Sequence, residues 1–293
     1  MEQLVTEGGA VIYNPVAGRK TGAAMLAQAR ELMGPGWEWI PTQRPGHAVE
    51  LARQAAQRNH IVVGYGGDGT VGDVARGIYG TEATLGVLPV GTGNDFARNL
   101  NLRLDLPEAT ATVLGGNLRR IDIGLINGTP FINNCGTGFD AQVMRTMNQS
   151  IRFTKGRLAF YLAIAKTFPS FKPFRLELET SDGEKYTDKA MMVSALNGKV
   201  YAAGMMAAPY AEMDDGLIDI LIIKALPKAK LLPLISLVAQ GKHLNHSGVV
   251  MMKARKFSLK TIPSLPLNID GEINGLTPMD VTMVPRGLKV LVR

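Results

Sequence analysis

Over roughly the first 120 residues, short apolar runs alternate with stretches of helical spacing. Ala10–Asn14 is a brief apolar run stopped by Pro15, and the Ala-rich Thr21–Met33 predicts a helix ended by Gly34. Trp37–Thr42 predicts a strand. His47–Arg58 predicts a helix carrying Ala48, Leu51, Ala52 and Ala55 on one face, and Ile61–Gly64 predicts a buried strand. A glycine loop then leads into a helix from about Thr70 to Tyr79, and Leu85–Leu88 predicts a fourth strand. Asn94 is placed to N-cap the next helix, and Pro107 can open another, because its missing N–H is already unpaired in a first helical turn. Such alternation predicts a mainly parallel sheet covered by helices.

The pattern changes after that point. Arg120–Ile126 and Pro130–Asn134 flank Asn127-Gly128, and Phe174–Thr180 and Glu184–Asp188 flank Ser181-Asp182-Gly183, so both segments predict hairpins. Ala190–Ala195, Gly216–Ile223, Val249–Ile262, Leu267–Ile269 and Met279–Pro285 predict further strands. Asp140–Asn148, Gly156–Phe168 and Lys228–Gly241 predict helices. The expected fold class is α/β plus β. Residues 1–123 would form an N-terminal three-layer α/β domain with a mainly parallel sheet. Residues 124–285 would form a β-sandwich with inserted helices, and a last strand in 286–293 could return to the first domain.

Composition narrows the function classes. At 293 residues with 46% hydrophobic and 19% charged positions, the chain suits two packed domains and excludes a disordered polymer. The single Cys135 cannot form an internal disulfide, which fits a reducing compartment and a small core side chain. No secretory leader and no membrane-spanning run are expected. The four histidines His47, His60, His243 and His246 lack partners at zinc-ligand spacing.

The net charge of +7 leaves nucleic acid, an anionic membrane surface or a phosphorylated ligand as partners. It is unevenly placed. Residues 1–123 hold 11 Lys+Arg against 12 Asp+Glu, and residues 124–293 hold 21 against 13. The densest stretch, Ile151 to Arg175, carries Arg152, Lys155, Arg157, Lys166, Lys172 and Arg175 and no acid. Phe153, Phe160, Tyr161, Phe168, Phe171 and Phe174 are interleaved with them. That mixture suits an interfacial membrane contact, and equally a helix whose rings pack on its own domain while its basic face is solvated. No nucleic-acid module accompanies the charge.

Gly64-Tyr65-Gly66-Gly67-Asp68-Gly69 matches G-x-G-x-x-G between a strand and a helix. Two features argue against a dinucleotide fingerprint: the loop follows the third strand rather than the first, and Asp68 would face a pyrophosphate. Glycines admit phosphate close to the backbone, and a helix N-terminus offers free N–H groups. An aspartate there suits a nucleotide whose phosphates carry a cation such as Mg²⁺. No Walker lysine is present. Asn14-Pro15-Val16-Ala17-Gly18 and Pro89-Val90-Gly91-Thr92-Gly93-Asn94 follow two other strands at the same sheet edge, where open α/β sheets bind ligands.

Four segments together resemble the diacylglycerol kinase catalytic domain family, and more closely its bacterial soluble lipid kinases. They are Asn14-Pro15-x-Ala17-Gly18, Gly66-Gly67-Asp68-Gly69-Thr70, Pro89-x-Gly91-Thr92-x-Asn94-Asp95-Phe96-Ala97-Arg98 and Asn133-Asn134-x-x-x-Gly138-Phe139-Asp140-Ala141. The resemblance implies ATP contacts from Asn14, Pro15, Val16, Ala17, Gly18, Thr42, Gly66, Gly67, Asp68, Gly69, Thr70, Val71, Gly72, Asp73, Thr92 and Asn94. It implies Mg²⁺ at Asp68. It also implies a structural Mg²⁺ in the Glu212-Met213-Asp214-Asp215-Gly216-Leu217 loop, held by Glu212, Asp215 and Leu217. Asn268-Ile269-Asp270-Gly271-Glu272 resembles the family's Asp-Gly-Glu motif, so Asp270 or Glu272 would be the catalytic base. Strand alternation would set these two carboxylates on one face about 7 Å apart. The bland alternative is a hairpin turn with two surface acids.

The activity implied is an ATP- and Mg²⁺-dependent lipid kinase. It would phosphorylate a free hydroxyl of diacylglycerol or a related lipid, in the cytoplasm and peripheral to the inner membrane surface, with a homodimer compatible. A soluble-substrate NAD kinase shares the glycine loop, but Asn94-Asp95-Phe96-Ala97-Arg98 argues against it. A nucleotide- or lipid-binding regulator without turnover is the third reading, and the intact acids Asp68, Asp270 and Glu272 weigh against it.

Overall fold

The structure, a computed structural model, describes residues 8–15, 22–150 and 156–293. The chain divides into two compact units. The first runs to Asp122 and takes back Arg286–Arg293, and the second is Ile123–Pro285.

The first unit alternates β1 (Gly9–Tyr13), α1 (Gly22–Met33), β2 (Trp37–Pro41), α2 (His47–Ala55), β3 (Ile61–Gly66), α3 (Asp68–Ile78), β4 (Thr84–Pro89), α4 (Asp95–Asn99) and α5 (Leu106–Gly115). The strands lie parallel in the order β2-β1-β3-β4. Every residue of β3 and β4 is buried, as expected of strands covered on both faces. Small residues decide the helix packing. A Cβ on Gly77 of α3 would lie 2.5 Å from the Val49 carbonyl oxygen and 2.6 Å from the Ala52 Cβ, so α2 and α3 touch nearly backbone to backbone. Tyr13, Trp39 and Tyr65 stack edge to face across neighbouring strands with centroids 6.1 and 6.0 Å apart. Pro107 does sit in the first turn of α5, whose N-cap Asp105 accepts the Glu108 N–H at 3.1 Å.

The chain leaves this unit within β5 (Asn117–Ile126). The second unit continues through β6 (Thr129–Phe131), β7 (Asn134–Gly138), α6 (Phe139–Ser150), α7 (Gly156–Thr167), β8 (Phe174–Thr180), β9 (Lys185–Leu196), β10 (Ile218–Lys224), α8 (Lys228–Ala239), β11 (Val249–Ala254), β12 (Lys256–Ile262), β13 (Pro266–Ile269), β14 (Glu272–Leu276) and the first half of β15 (Met279–Val292). The pairings among β7 to β14, of β12 with β15 and of β5 with β6 are antiparallel. Strand β9 is shared between two layers. Its first half pairs with β8, which leads to β12 and β15. Its second half lies between β7 and β10, which lead to β13-β14 and to β11. Ile218, Ile220 and Ile222 of β10 enter a core with Phe131, Leu176, Val193 and Phe257. Leu221 and Ile223 face the opposite way, into a second core beneath α6, α7 and α8. A strand buried on both faces reads as an unbroken apolar run, which explains the sequence of β10.

Several strand expectations change. Glu184–Asp188 and Ala190–Ala195 are one strand, β9, and Pro130–Asn134 is divided between β6 and β7. Val249–Ile262 is not one strand: β11 pairs with β10, β12 pairs with β8 and β15, and the break falls at Arg255. The cause is parity. Ala254 and Phe257 are buried with Arg255 and Lys256 both exposed between them, so the alternation slips by one residue there. Conversely, Met279–Pro285 and Leu288–Val292 form one strand, β15, which kinks at Arg286 (φ +53°). The Arg286 N–H donates to the fully buried Asp122 carboxylate at 2.7 Å, and Lys289 and Val290 then pair parallel with β4 in the first unit. The hairpins around Asn127-Gly128 and Gly183 form as expected, with positive φ at all three of these residues.

Gly124 of β5 has no room for a side chain: a Cβ there would meet the fully buried Phe131 ring at 2.1 Å. Gly124→Ala is expected to cost about 1–3 kcal/mol of stability through forced repacking, measured by urea denaturation. An unchanged midpoint would show that the ring can yield.

Candidate active site

The expected nucleotide residues of the first unit gather at the carboxyl ends of its parallel strands. Asn14 and Pro15 follow β1, Thr42 follows β2, Gly67–Thr70 follow β3, and Gly91–Asn94 follow β4. The Thr42 N–H donates to the Tyr13 carbonyl at 2.8 Å and the Val90 N–H to the Gly66 carbonyl at 2.9 Å, which ties neighbouring loops together. The glycines are required by contact. A Cβ on Gly91 would stand 2.4 Å from the Gly67 Cα, and one on Gly66 2.6 Å from Thr70, whereas Gly69 opens onto empty space. Gly69 and Thr70 lie in the first turn of α3, where N–H groups have no partner within the helix. Thr92 is exposed, while Val71, Gly72 and Asp73 are buried, with Asp73 paired to Arg76. Val16, Ala17 and Gly18 lie outside the described residues.

Asp68 opens α3, yet its carboxylate serves α4. Its Oδ1 accepts the Phe96 N–H at 3.1 Å. Burial pushes the carboxyl up, and the N–H groups of Asn94, Asp95 and Phe96 pull it back toward the charged form. The side chain of Asn94, expected to cap that helix, instead closes its own loop: it accepts the Gly91 N–H at 3.0 Å and donates to the Gly91 carbonyl at 2.9 Å. Asn94 has φ +53°, which turns its side chain back from the helix. The Asp68 anion is thus matched by the same kind of N–H groups that suit a phosphate, and it stands beside the glycine edge where a phosphate-bound cation would be wanted.

In the second unit Asp270 is not a strand residue. Asp270 and Gly271 (φ +47° and +90°) form the two-residue turn between β13 and β14, in which Ile269 and Glu272 are paired. Strand alternation therefore does not relate Asp270 to Glu272. Nor is Asp270 a bland surface acid. Its Oδ2 accepts the Ile132 N–H at 2.9 Å, and its Oδ1 accepts those of Asn133 at 2.9 Å and Asn134 at 3.1 Å. Glu272 is exposed at the start of β14. Asn268 extends the network inward: its Oδ1 accepts the Gly271 N–H at 3.0 Å and its Nδ2 donates to Asp140 at 3.3 Å. Ser194 donates to the same Asp140 oxygen at 3.3 Å. Burial pushes the Asp140 carboxyl up to about 6, against the pull of Asn268, the Ala141 N–H and Ser194. Burial, with the charges of Asp270 and Asp140, pushes the Cys135 thiol up, so Cys135 is an inert core residue.

Asp140 lines a small, almost wholly apolar pocket, with a cavity volume of about 50 Å³, among Phe139, Val143, Ile164, Met192, Leu234 and Val238. Helices α7 and α8 wall it. They are apolar on both sides: Phe160, Ile164, Leu231 and Leu234 face inward, while Leu158 (61% exposed), Tyr161 (53%), Leu162 (46%) and Leu232 (52%) face outward. Most rings of the basic-aromatic stretch pack inside. Phe160, Phe168 and Phe171 join the second core and Phe174 the first, while Arg152, Phe153 and Lys155 lie outside the described residues. Lys166, Lys172, Lys228 and Lys230 are exposed around the two helices.

The acidic loop already holds an internal cation. The Asp215 Oδ1 accepts the Leu217 N–H at 2.9 Å, and Lys253 Nζ lies 3.3 Å from both Asp215 and Asp219. Glu212 is exposed nearby. Among the described residues no three His, Cys, Asp or Glu side chains are grouped so as to hold a metal ion, and Lys253 supplies the positive charge beside Asp215 and Asp219.

Sequence reasoning did not assign Asp140, Ser194, Asn268 or Lys253. The signal for Asp140 was present: an acid opening a helix directly after a strand, in a segment otherwise apolar and small. The other three are recognised only through their partners.

Residues 9–126 match the diacylglycerol kinase catalytic domain, and residues 133–292 match the YegS C-terminal NAD kinase beta sandwich-like domain. A diacylglycerol kinase of Bacillus subtilis is 32% identical over 289 residues, covering 96% of this chain and 95% of that protein. One of Staphylococcus saprophyticus is 30% identical, covering 92% and 90%. A crystal structure of a diacylglycerol kinase from Bacillus anthracis superposes with a TM-score of 0.76 at 21% identity over 97% of this chain and 96% of that one. Yeast NADH kinase complexed with NADH shares the fold more distantly, with a TM-score of 0.51 at 9% identity over 99% and 84%. The two units thus define a kinase with an α/β first domain and an NAD kinase-like β-sandwich. The chain belongs to the diacylglycerol kinase family.

The two acids of the turn should behave differently under substitution. Asp270→Ala strands three N–H groups and is expected to cost about 1–3 kcal/mol. Glu272→Ala, at an exposed position, should stay within about 0.5 kcal/mol. Equal chemical-denaturation midpoints for the two variants would show that the Asp270 network carries no stability.

Proposed function

We propose that this protein is an ATP- and Mg²⁺-dependent lipid kinase that phosphorylates a free hydroxyl of a membrane lipid, diacylglycerol or a related lipid. One observation carries the reading. Within the second unit an apolar pocket has Asp140 in its lining, and Asp140 is joined through Asn268 to the turn that bears Asp270 and Glu272. A soluble nucleotide acceptor has no use for such a pocket.

In this reading the acyl chain lies in the apolar pocket. The loops Asn14–Gly18, Gly66–Asp73 and Thr92–Asn94, with Thr42, bind ATP, and the phosphates take N–H groups at the start of α3. Asp68, whose Oδ1 accepts the Phe96 N–H, would hold the nucleotide's Mg²⁺. Bound Mg²⁺ would offset the charge of the phosphate oxygens. The lipid hydroxyl oxygen attacks the γ-phosphorus, the bond from that phosphorus to the β,γ-bridging oxygen breaks, and ADP leaves. The hydroxyl proton passes to a carboxylate of the Asp270–Glu272 pair. A second Mg²⁺ in the Glu212–Leu217 loop, held by Glu212, Asp215 and Leu217, would displace Lys253.

The protein works at the cytoplasmic face of the membrane. Its outward Leu158, Tyr161, Leu162 and Leu232 enter the acyl boundary while Lys166, Lys172, Lys228 and Lys230 meet anionic headgroups. No helix among the described residues is long and apolar enough to cross the bilayer. The contact is therefore peripheral.

Transfer of labelled phosphate from ATP to a lipid panel, with NAD⁺ as a control acceptor, tests the activity. Wild type should label a lipid and not NAD⁺. Asp68→Ala and the double variant Asp270→Ala/Glu272→Ala should lose on the order of 10²–10⁴-fold. Undiminished transfer by the variants would remove those residues from the site, and labelling of NAD⁺ alone would replace the lipid reading. Vesicle co-sedimentation tests the docking. Binding should require anionic lipid, weaken with salt, and fall about tenfold in Leu158→Asp/Leu162→Asp. Binding indifferent to all three would leave the exposed apolar residues without this role.

A further inference from the structure

The turn that bears Asp270 and Glu272 is held from two sides. The Asp270 carboxylate takes three N–H groups at the entry of β7, and the Asn268 Oδ1 accepts the Gly271 N–H at 3.0 Å. Asn268 is buried, at 2% exposure, and its amide has an acceptor at one end and a donor at the other. Only one direction of that amide puts its oxygen on Gly271. Turned over, it would set an NH₂ group against the Gly271 N–H, and the turn would lose its second hold.

Asp140 removes the choice. Its Oδ2 accepts the Asn268 Nδ2 at 3.3 Å and the Ser194 hydroxyl at 3.3 Å. A carboxylate only accepts, so the end of Asn268 that faces Asp140 is the NH₂ and the end that faces Gly271 is the oxygen. A hydroxyl or a neutral amide in the place of Asp140 both donates and accepts, and would leave the direction open. Asp140 is 5% exposed and lies among apolar residues that line the pocket, where an acyl chain has no use for a charge. Its burial is offset by Asn268, Ser194 and the N–H groups of Asp140 and Ala141. The charge serves the turn beyond Asn268 rather than the pocket.

We propose that Asp140 and Asn268 are positioning residues for phosphoryl transfer: Asp140 fixes the direction of the Asn268 amide, and Asn268, through the Gly271 N–H, sets the turn that carries Asp270 and Glu272. The proposal rests on the reading in which a carboxylate of that turn takes the proton of the lipid hydroxyl.

An exchange of the two groups tests it. The full-length protein is assayed with ATP and a short-chain 1,2-diacylglycerol in mixed micelles, and kcat is expressed per folded molecule. Asp140→Asn keeps shape and removes the one-way acceptor. Whichever way the new amide turns, its NH₂ meets a donor, either Asn268 or the N–H groups at the start of α6. The turn then shifts, and kcat should fall by up to about 10²-fold with the KM for ATP unchanged. Adding Asn268→Asp restores one donor facing one acceptor and leaves a carboxylate oxygen on Gly271, while the Ser194 hydroxyl can turn to accept. The double variant should return to within about tenfold of wild type, a coupling that independent sites do not show. Asn268→Ala, which sets no like groups against each other, should lose kcat as Asp140→Asn does and stands in for it if that variant does not fold. A contribution to stability alone would lower the denaturation midpoint and leave kcat per folded molecule at the wild-type level, and that result overturns the proposal. So does a double variant no more active than Asp140→Asn. A wild type that phosphorylates no lipid removes the lipid-kinase reading and this proposal together, whereas an active wild type with undiminished variants removes the proposal alone.

Discussion

Three backbone N–H groups, from Ile132, Asn133 and Asn134, end on the single carboxylate of Asp270. Much of the second unit's chemistry depends on that contact. It joins the entry of β7 to the β13–β14 turn across a sequence separation of 136–138 residues, and the Asp270 N–H returns a bond to the Asn134 carbonyl at 2.9 Å. With the turn held, Asn268 accepts from Gly271 and reaches Asp140, so the carboxylate in the apolar pocket and the Asp270-Gly271 turn become one connected network. Buried polar networks of this kind are rigid when fully matched, and a single missing partner is costly.

The first unit solves the opposite problem. Its ligand edge is made of backbone rather than side chains. A Cβ on Gly91 would stand 2.4 Å from the Gly67 Cα, and the Asp68 carboxylate is committed to the N–H groups that open α4. In the proposed reading, backbone dipoles held by parallel strands would bind phosphate without a cluster of lysines, which agrees with the slight acidic excess of this half of the sequence. The positive excess of the second half serves other ends. Lys253 neutralises Asp215 and Asp219 inside a loop, while Lys166, Lys172, Lys228 and Lys230 remain at the surface around helices that are apolar on both sides.

What the sequence determined by itself was local. The strand–helix alternation, the glycine loops and the Asn127-Gly128 turn depend on φ/ψ preferences and on neighbours within a few positions, so they could be read directly. The tertiary structure decided everything whose partner is remote in the chain. Asn94 was a sound N-cap by residue type, yet Asp68, 28 residues before Phe96, took the acceptor role. Asp270-Gly271 was expected within a strand, with a turn only as the alternative, and the three donors that fix its side chain are more than a hundred residues away. Val249–Ile262 held one apolar pattern and was divided between two layers where its alternation slips. The rings of the basic stretch turned mostly inward because two cores, set by the shared strand β9, lay there to receive them. Periodicity records which face of an element is apolar. Which buried acid meets which donor depends on where distant elements pack, and only the folded chain brings Asp140, Ser194 and Asn268 together.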